Sequence, residues 1–264
     1  MATEVNTAIG LFQFSVQTLG RIQLARELRD DFETHQLKLD IIQLRLSRWG
    51  EVINFESIDV TDGNAPEVQP FDEEHDEGPP SVVRVLSELQ HRLYRAQREA
   101  RKFEKDAGLK VPQGLNPEAC MPMDLKKLRN RIKLSLSKRK AEASGAFESI
   151  KWVFYKKEHF DKFIASISEL INDLEKFIAE DTRGRLRKLS DEECKGIGKS
   201  YLEELKDIIE GCDPWLESSV DQRLGADGSG TVINQSHNTG HTVGVHKGEN
   251  KGNTYGGQAT YTFH

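Results

Sequence analysis

The sequence predicts an all-α, multi-helix bundle carrying a C-terminal extension of a different character. Three observations lead there. Positions Leu24, Leu28, Phe32, His35, Leu39, Ile42, Leu46, Trp49 and Ile53 recur at steps of three and four, the spacing of one helix face. Further stripes of the same period follow downstream. After Leu224 both the period and the leucines disappear, leaving a tail of Gly, Asn, Thr and His. The expected organisation is therefore a helical body over 1–223 and a distinct tail over 224–264.

The first segment holds Val5, Ala8, Ile9, Leu11, Phe12, Phe14, Val16, Leu19, Ile22 and Leu24, with no ionisable residue between Glu4 and Arg21. A permanent transmembrane helix needs about 20 predominantly apolar residues. Gln13, Ser15, Gln17 and Thr18 leave this segment short of that, so it is expected to be a buried first helix. Its lack of charge also makes it the helix most tolerant of lipid, and its place at the start of the chain would let it leave without unthreading. The run 24–53 is read as one continuous helix. Leu37, Ile41 and Leu44 make it apolar on a second side, which favours a sandwiched bundle spine over a dimeric coiled coil.

Residues 57–80 hold eight Asp and Glu, no Lys or Arg, and four prolines. They read as an acidic surface loop without calcium-site spacing. Ser81 is an expected N-cap, opening a helix with Val82, Val85, Leu89, Leu93 and Ala96 inward. Its other face carries Arg84, Arg92, Arg95, Arg98, Arg101, Lys102 and Lys105. A Pro- and Gly-rich loop over 108–122 precedes a helix capped by Asp124. Leu125, Leu128, Ile132 and Leu136 point inward there, with Lys126, Lys127, Arg129, Arg131, Lys133, Lys138, Arg139 and Lys140 outward. These basic faces are read either as solvated surfaces paired with the acidic loop or as contacts for an anionic membrane.

The segment 146–155 is apolar and aromatic. After it, Phe160, Phe163, Ile164, Ile167, Leu170, Ile171, Leu174, Phe177 and Ile178 form a clean amphipathic stripe. Ser190 and Glu193 read as a capping box opening a helix through Ile197, Tyr201, Leu205 and Ile208 to Gly211. Asp213-Pro214 reads as an N-cap with Pro at the first helical position of a short last helix.

The tail excludes helix by its glycine content. Disorder and a flexible linker are the plain readings. Against them stand the short β-prone pieces 231–234, 242–245 and 260–263, separated by turn residues. Low charge, no Pro and many Asn, Thr and Gln favour cross-β stacking of identical copies. One copy has too few apolar side chains to fold alone, so the tail is expected to be disordered as a monomer and ordered on assembly. His237, His241, His246 and His264 are not expected to form a dedicated metal site.

Two stretches carry a family resemblance. Gln36-Leu37-Lys38-Leu39-Asp40-Ile41 followed by Arg45-Leu46-Ser47-Arg48-Trp49-Gly50-Glu51 resembles the signature of the HeLo domain of the fungal HET-s/LopB prion and cell-death family. Gln36, Leu37, Leu39, Asp40, Arg45, Leu46, Trp49 and Gly50 carry it, and Gly10-Leu11-Phe12 fits the same pattern. In the tail, Lys247-Gly248-Glu249 and Gly252-Asn253-Thr254-Tyr255-Gly256-Gly257 resemble pieces of that family's prion-forming repeats. The connecting segment is shorter and a clean second copy is missing, so the tail also fits another class of fungal amyloid motif.

The resemblance implies a cell-death executor activated by amyloid templating, through a copy of itself or an NLR-type receptor. Membrane insertion would then fall to Val5, Ala8, Ile9, Leu11, Phe12, Phe14, Val16 and Leu19. Templating would fall to Thr231, Val232, Ile233, Val243, Val245, Asn253, Tyr255, Gly256, Gly257, Tyr261 and Phe263. The rival readings are a non-lytic adaptor or inhibitory prion partner tethered by the tail, and a bundle that binds anionic lipid or nucleic acid without using it.

Composition bounds the rest. The 264 residues are 30% charged with net charge −6, which gives no general reason to expect nucleic-acid binding. Mean hydropathy is −0.61, as for a soluble helical protein. Three widely spaced cysteines favour inert thiols in a reducing compartment. With no signal peptide apparent, the expected location is the cytoplasm, moving to the plasma membrane on activation. No phosphate loop, nucleophile elbow or HExxH pattern is present, and neither enzyme activity nor a cofactor is expected.

Overall fold

The computed structural model describes residues 2–25, 31–54, 81–108, 121–139, 152–227, 253–255 and 259–261. The described contacts divide into two units, Met1–Asp221 and Gln222–His264. The acidic loop 57–80, most of 108–122, and positions 146–151 of the aromatic segment lie outside the described residues.

The first unit is built around α2 (Phe32–Ile53). Leu37, Ile41, Ile42, Leu46 and Trp49 are fully buried, and α1 (Ala2–Leu19), α4 (Met123–Lys138), α5 (Lys157–Lys176), α6 (Arg183–Cys194) and α7 (Lys199–Ile209) all pack against it. Burial on every side explains why two apolar stripes share one helix. Its end is set by Asn54, left-handed at φ 67°, whose N–H bonds back to Glu51 and Gly50.

The single helix expected over 24–53 is not what forms. Leu24 belongs to a strand, β1 (Ile22–Leu24), which pairs in parallel with β2 (Trp152–Phe154), in register Ile22 to Trp152. The Ala25 N–H extends the pairing to the Phe154 carbonyl at 2.9 Å. α1 stops at Leu19, and the Gly20 that follows lies against α2, where a Cβ would sit 2.6 Å from Gln43 Nε2. At 22 residues α2 spans about 33 Å.

α3 (Val82–Asp106) begins as expected, with Ser81 Oγ accepting from the Arg84 N–H at 3.2 Å. It packs against α1 and α5. α4 begins two residues earlier than expected: Pro122 is its cap, and Asp124 instead accepts from the Tyr201 hydroxyl at 3.0 Å. The capping-box reading of Ser190 and Glu193 also fails. Both lie inside α6, where Ser190 Oγ donates to the Leu186 carbonyl and Glu193 is buried among arginines. The helix expected from Ser190 to Gly211 is two, because Gly196 takes a left-handed φ of 77° between them. Asp213 caps α8 (Pro214–Asp227), accepting from the Leu216 N–H at 3.1 Å.

In the second unit, β3 (Asn253–Tyr255) and β4 (Ala259–Tyr261) form an antiparallel pair, Asn253 opposite Tyr261 and Tyr255 opposite Ala259.

Candidate functional site

α2 is fastened by charge. Arg45, 1% exposed, grips Glu175 of α5 with two bonds of 2.9 and 2.6 Å. It also donates to Asn172 Oδ1 and to the Cys212 carbonyl. One turn on, Arg48 faces two carboxylates, Glu193 of α6 and Asp213 before α8, with two bonds to each. Glu193 is shared with Arg139, which also bonds Glu51. Asp40 accepts from Arg129 at 2.7 Å and pairs with Lys133 at 3.2 Å. The Trp49 indole N–H donates to the Leu174 carbonyl at 2.9 Å.

The electrostatics follow from this geometry. Burial opposes the charge on Arg48, but Asp213 and Glu193 outweigh it and raise the guanidinium above its usual range. Burial likewise opposes ionisation of Asp213, and the Arg48 charge and hydrogen bonds overcome it, holding the carboxyl below its usual range. Burial pushes the Cys212 thiol up, which suits an inert thiol. Cys194 and Cys212 are both free.

α1 is seated in another way. Its 5–20 stretch has no charge to pair. Of the expected insertion residues, Ala8, Ile9, Leu11, Phe12, Phe14, Val16 and Leu19 are buried, and Val5 is 42% exposed. Phe14 stacks on Tyr94 of α3 with centroids 5.1 Å apart. Phe12 tilts against Trp49 at 5.9 Å and presses onto Gly50, where an added Cβ would lie 2.1 Å from the ring. Ser15 Oγ bonds the Leu11 carbonyl of its own helix at 2.8 Å, so that hydroxyl is satisfied wherever the helix goes. The bond from Gln43 Nε2 to the Val16 carbonyl, 3.1 Å, latches the end of α1 to α2. Thr18 Oγ1 is buried without a hydrogen-bond partner. No helix among the described residues is long and apolar enough to cross a membrane.

The expected signature residues thus acquire roles. Gly50 receives Phe12, Trp49 and Arg45 reach α5, and Asp40 holds α4. Leu37, Leu39 and Leu46 are core, and Gln36 lies 3.4 Å from Asp40 Oδ1. The carboxylates answering these arginines, Glu175, Glu193 and Asp213, escaped the sequence reading, as did Gln43. The signal available was two arginines three apart within a two-sided apolar helix, since buried guanidinium groups require partners. The outward basic face expected for α4 is corrected as well: Arg129 and Arg139 turn inward to carboxylates, while Lys127 and Lys138 remain exposed. His35 is a core histidine, with Nδ1 2.6 Å from the Asp31 carbonyl and Nε2 3.4 Å from Asp161.

Of the expected templating residues, Asn253, Tyr255 and Tyr261 lie in β3 and β4. Thr231, Val232, Ile233, Val243, Val245, Gly256, Gly257 and Phe263, like the four tail histidines, lie outside the described residues.

Comparison with known proteins places the body. The HeLo family, described as prion-inhibition and propagation, matches residues 2–209. Similar proteins include heterokaryon incompatibility protein S of Podospora anserina, 25% identical over 218 residues covering 82% of this chain and 71% of that protein. Heterokaryon incompatibility protein s of the same fungus is 26% identical over 227 residues, covering 86% and 74%. The solved structure of the HET-s N-terminal domain superposes with a TM-score of 0.68 at 22% identity, covering 84% of this chain and 98% of that one. A mutant form of that domain gives 0.64 at 23% identity, covering 83% and 97%. Fold and family match agree: this chain belongs to the HeLo family of prion-inhibition and propagation proteins.

Proposed function

We propose that the protein is a heterokaryon-incompatibility executor that kills by inserting α1 into the plasma membrane when its tail is templated into amyloid. The template is a copy of the tail or a matching motif on an NLR-type receptor. The observation that carries this reading is the contrast in attachment: an α1 uncharged after Glu4 of its first turn and seated mainly by apolar side chains, against an α2 fastened by buried ion pairs. Names of the relatives in Podospora anserina support the heterokaryon-incompatibility assignment.

Each large side chain of α1 contributes about 1.5–3 kcal/mol through burial. Moving the helix into water loses that contribution, whereas moving it into hydrocarbon keeps the transfer part and loses only packing. The body and membrane states can then differ little enough for tail assembly to shift their balance. Eighteen residues of α1 span about 27 Å, short of the ~30 Å hydrocarbon core. A short helix is accommodated by local thinning or by association with its neighbours, and amyloid assembly of the tails would bring such neighbours together. Anionic headgroups would attract the exposed Lys127 and Lys138 of α4. Before templating, the protein resides in the cytoplasm.

The test mixes the full chain with pre-formed fibrils of its 225–264 peptide and dye-loaded anionic vesicles. Fibrils are expected to trigger dye release. Val5→Lys, at an exposed position that leaves the body folded, is expected to suppress it. Seeded assembly without release would instead establish the non-lytic adaptor.

A further inference from the structure

A second site is a cleft of about 380 Å³ between α3, β2 and the start of α5. Its volume is within the range of small-molecule sites, roughly 300–1,000 Å³. Ala100, Phe103, Val153, Phe154 and Phe163 give it an apolar lining. Ser166 also lines it, its hydroxyl donating to the Phe163 carbonyl at 2.9 Å. The Phe154 carbonyl is used by Ala25, and the Tyr155 hydroxyl donates to Glu104 at 2.8 Å. The rings engage one another, Phe154 tilted against Phe163 at 5.0 Å and Phe103 against Tyr155 at 5.2 Å.

The rim is cationic. Arg92, Arg95, Lys156, His159 and Lys162 border the cleft, and Glu99 is the one carboxylate among the lining residues. Arg92 and Arg95 are engaged by Glu88 and Glu99 on their own helix. Lys156 Nζ stands 5.1 Å over the Phe103 ring, at the junction of rim and floor. Lys156, His159 and Lys162 are all exposed on one edge. A cleft with apolar side chains on one part of its lining and positive charge on another matches a molecule whose two ends differ in the same way.

We propose that this cleft binds an amphiphile with a single acyl chain and an anionic headgroup, the chain against Phe103, Val153 and Phe163 and the headgroup at Lys156 and Lys162. The shared chemistry admits a carboxylate or a phosphate head. This assignment goes beyond the membrane-insertion reading and stands without it, because it concerns a soluble ligand and no bilayer.

The test is isothermal titration of the full chain with oleate and with oleoyl lysophosphatidic acid, each below its micellar concentration. Inorganic phosphate and neutral monoolein serve as the two comparison arms. Both anionic amphiphiles are expected to bind one per chain, with monoolein about tenfold weaker, as loss of charge-assisted contacts predicts, and phosphate alone weaker still. The double variant Lys156→Glu/Lys162→Glu changes only exposed side chains. It is expected to weaken both anionic ligands about tenfold and leave monoolein unchanged. Ala96→Trp, filling the cleft, is expected to abolish binding of all three amphiphiles. The proposal is overturned by absence of amphiphile binding to the unmodified chain, by phosphate binding as tightly as lysophosphatidic acid, or by monoolein matching oleate. Unchanged anionic affinity in the charge-reversed variant would overturn it equally, whatever the folding of Ala96→Trp.

Discussion

α1 and α2 lie against each other, Phe12 of one on Gly50 of the other, yet they are held by different physics. α1 presents mainly apolar side chains and an intrahelical hydroxyl bond, with the Gln43 bond to its Val16 carbonyl as a polar latch, so an apolar medium can replace most of its surroundings. α2 presents Arg45, Arg48 and Asp40 to partners on α4, α5, α6 and the start of α8. Those charges are stable only while their partners remain, because an unpaired buried charge is far more costly than a paired one. The difference teaches which helix the proposed mechanism must move: the one held mostly by non-directional contacts, not the one held by buried ion pairs.

The largest expected effect comes from breaking the charged side of this contrast. Arg48→Ala leaves Glu193 and Asp213 buried without their guanidinium, and should cost about 3–5 kcal/mol in urea unfolding of the body. A loss below about 1 kcal/mol would mean the ion pairs are not what fixes α2.

Gly50→Ala tests the apolar side. Its Cβ would meet the Phe12 ring, so the ring or the helix must move, at about 1–3 kcal/mol. Amide exchange should quicken in α1 far more than in α4, and Phe12→Ala in the same chain should reverse much of that difference. Equal loosening of both helices would show that α1 is not a separable unit.

Acid should weaken the charged network before the apolar one. The Asp213 carboxyl is held below its ordinary value of 3.8. Its contribution is therefore whole above that pH and is lost as pH falls through the lower, folded value. Thermal melts from pH 6 down to 2 should show the decline beginning below about 4. In Arg48→Ala, Asp213 has lost its main support and the low-pH decline should shift upward. The smallest effect is expected at the exposed Lys157–Asp31 pair, where Lys157→Ala should leave the melting temperature within measurement error.

Much of the body was legible because its stripes are long. The periods of α3 and α5, the Ser81 cap and the Asp213-Pro214 start all match local rules that tertiary packing did not override. What misled was short or shared grammar. Leu24 sits four residues before Leu28 and so joins a helical stripe by spacing alone, while three-residue strands such as β1 and β2 carry too little pattern to compete. Ser190 and Glu193 have cap spacing, but a serine within a helix can bond back to the preceding turn. Glu193 is committed to Arg48, 145 residues away in sequence. The seat of α1 was half visible: its lack of charge could be read directly, whereas the Gly50 socket and Gln43 latch exist only after the helices meet. In the tail, 253 falls in a strand where a turn residue was expected, and most of the templating positions lie outside the described residues.

The central claim is that α1 can leave while α2 keeps its place. Hydrogen exchange on the full chain, measured before and after seeding with 225–264 fibrils in the presence of anionic vesicles, tests it most directly. Separation of the two helices is expected: amides of 2–19 change their protection, and those of 36–52 keep theirs. Loss of protection in both together, or in neither once the tail has assembled, would contradict the account.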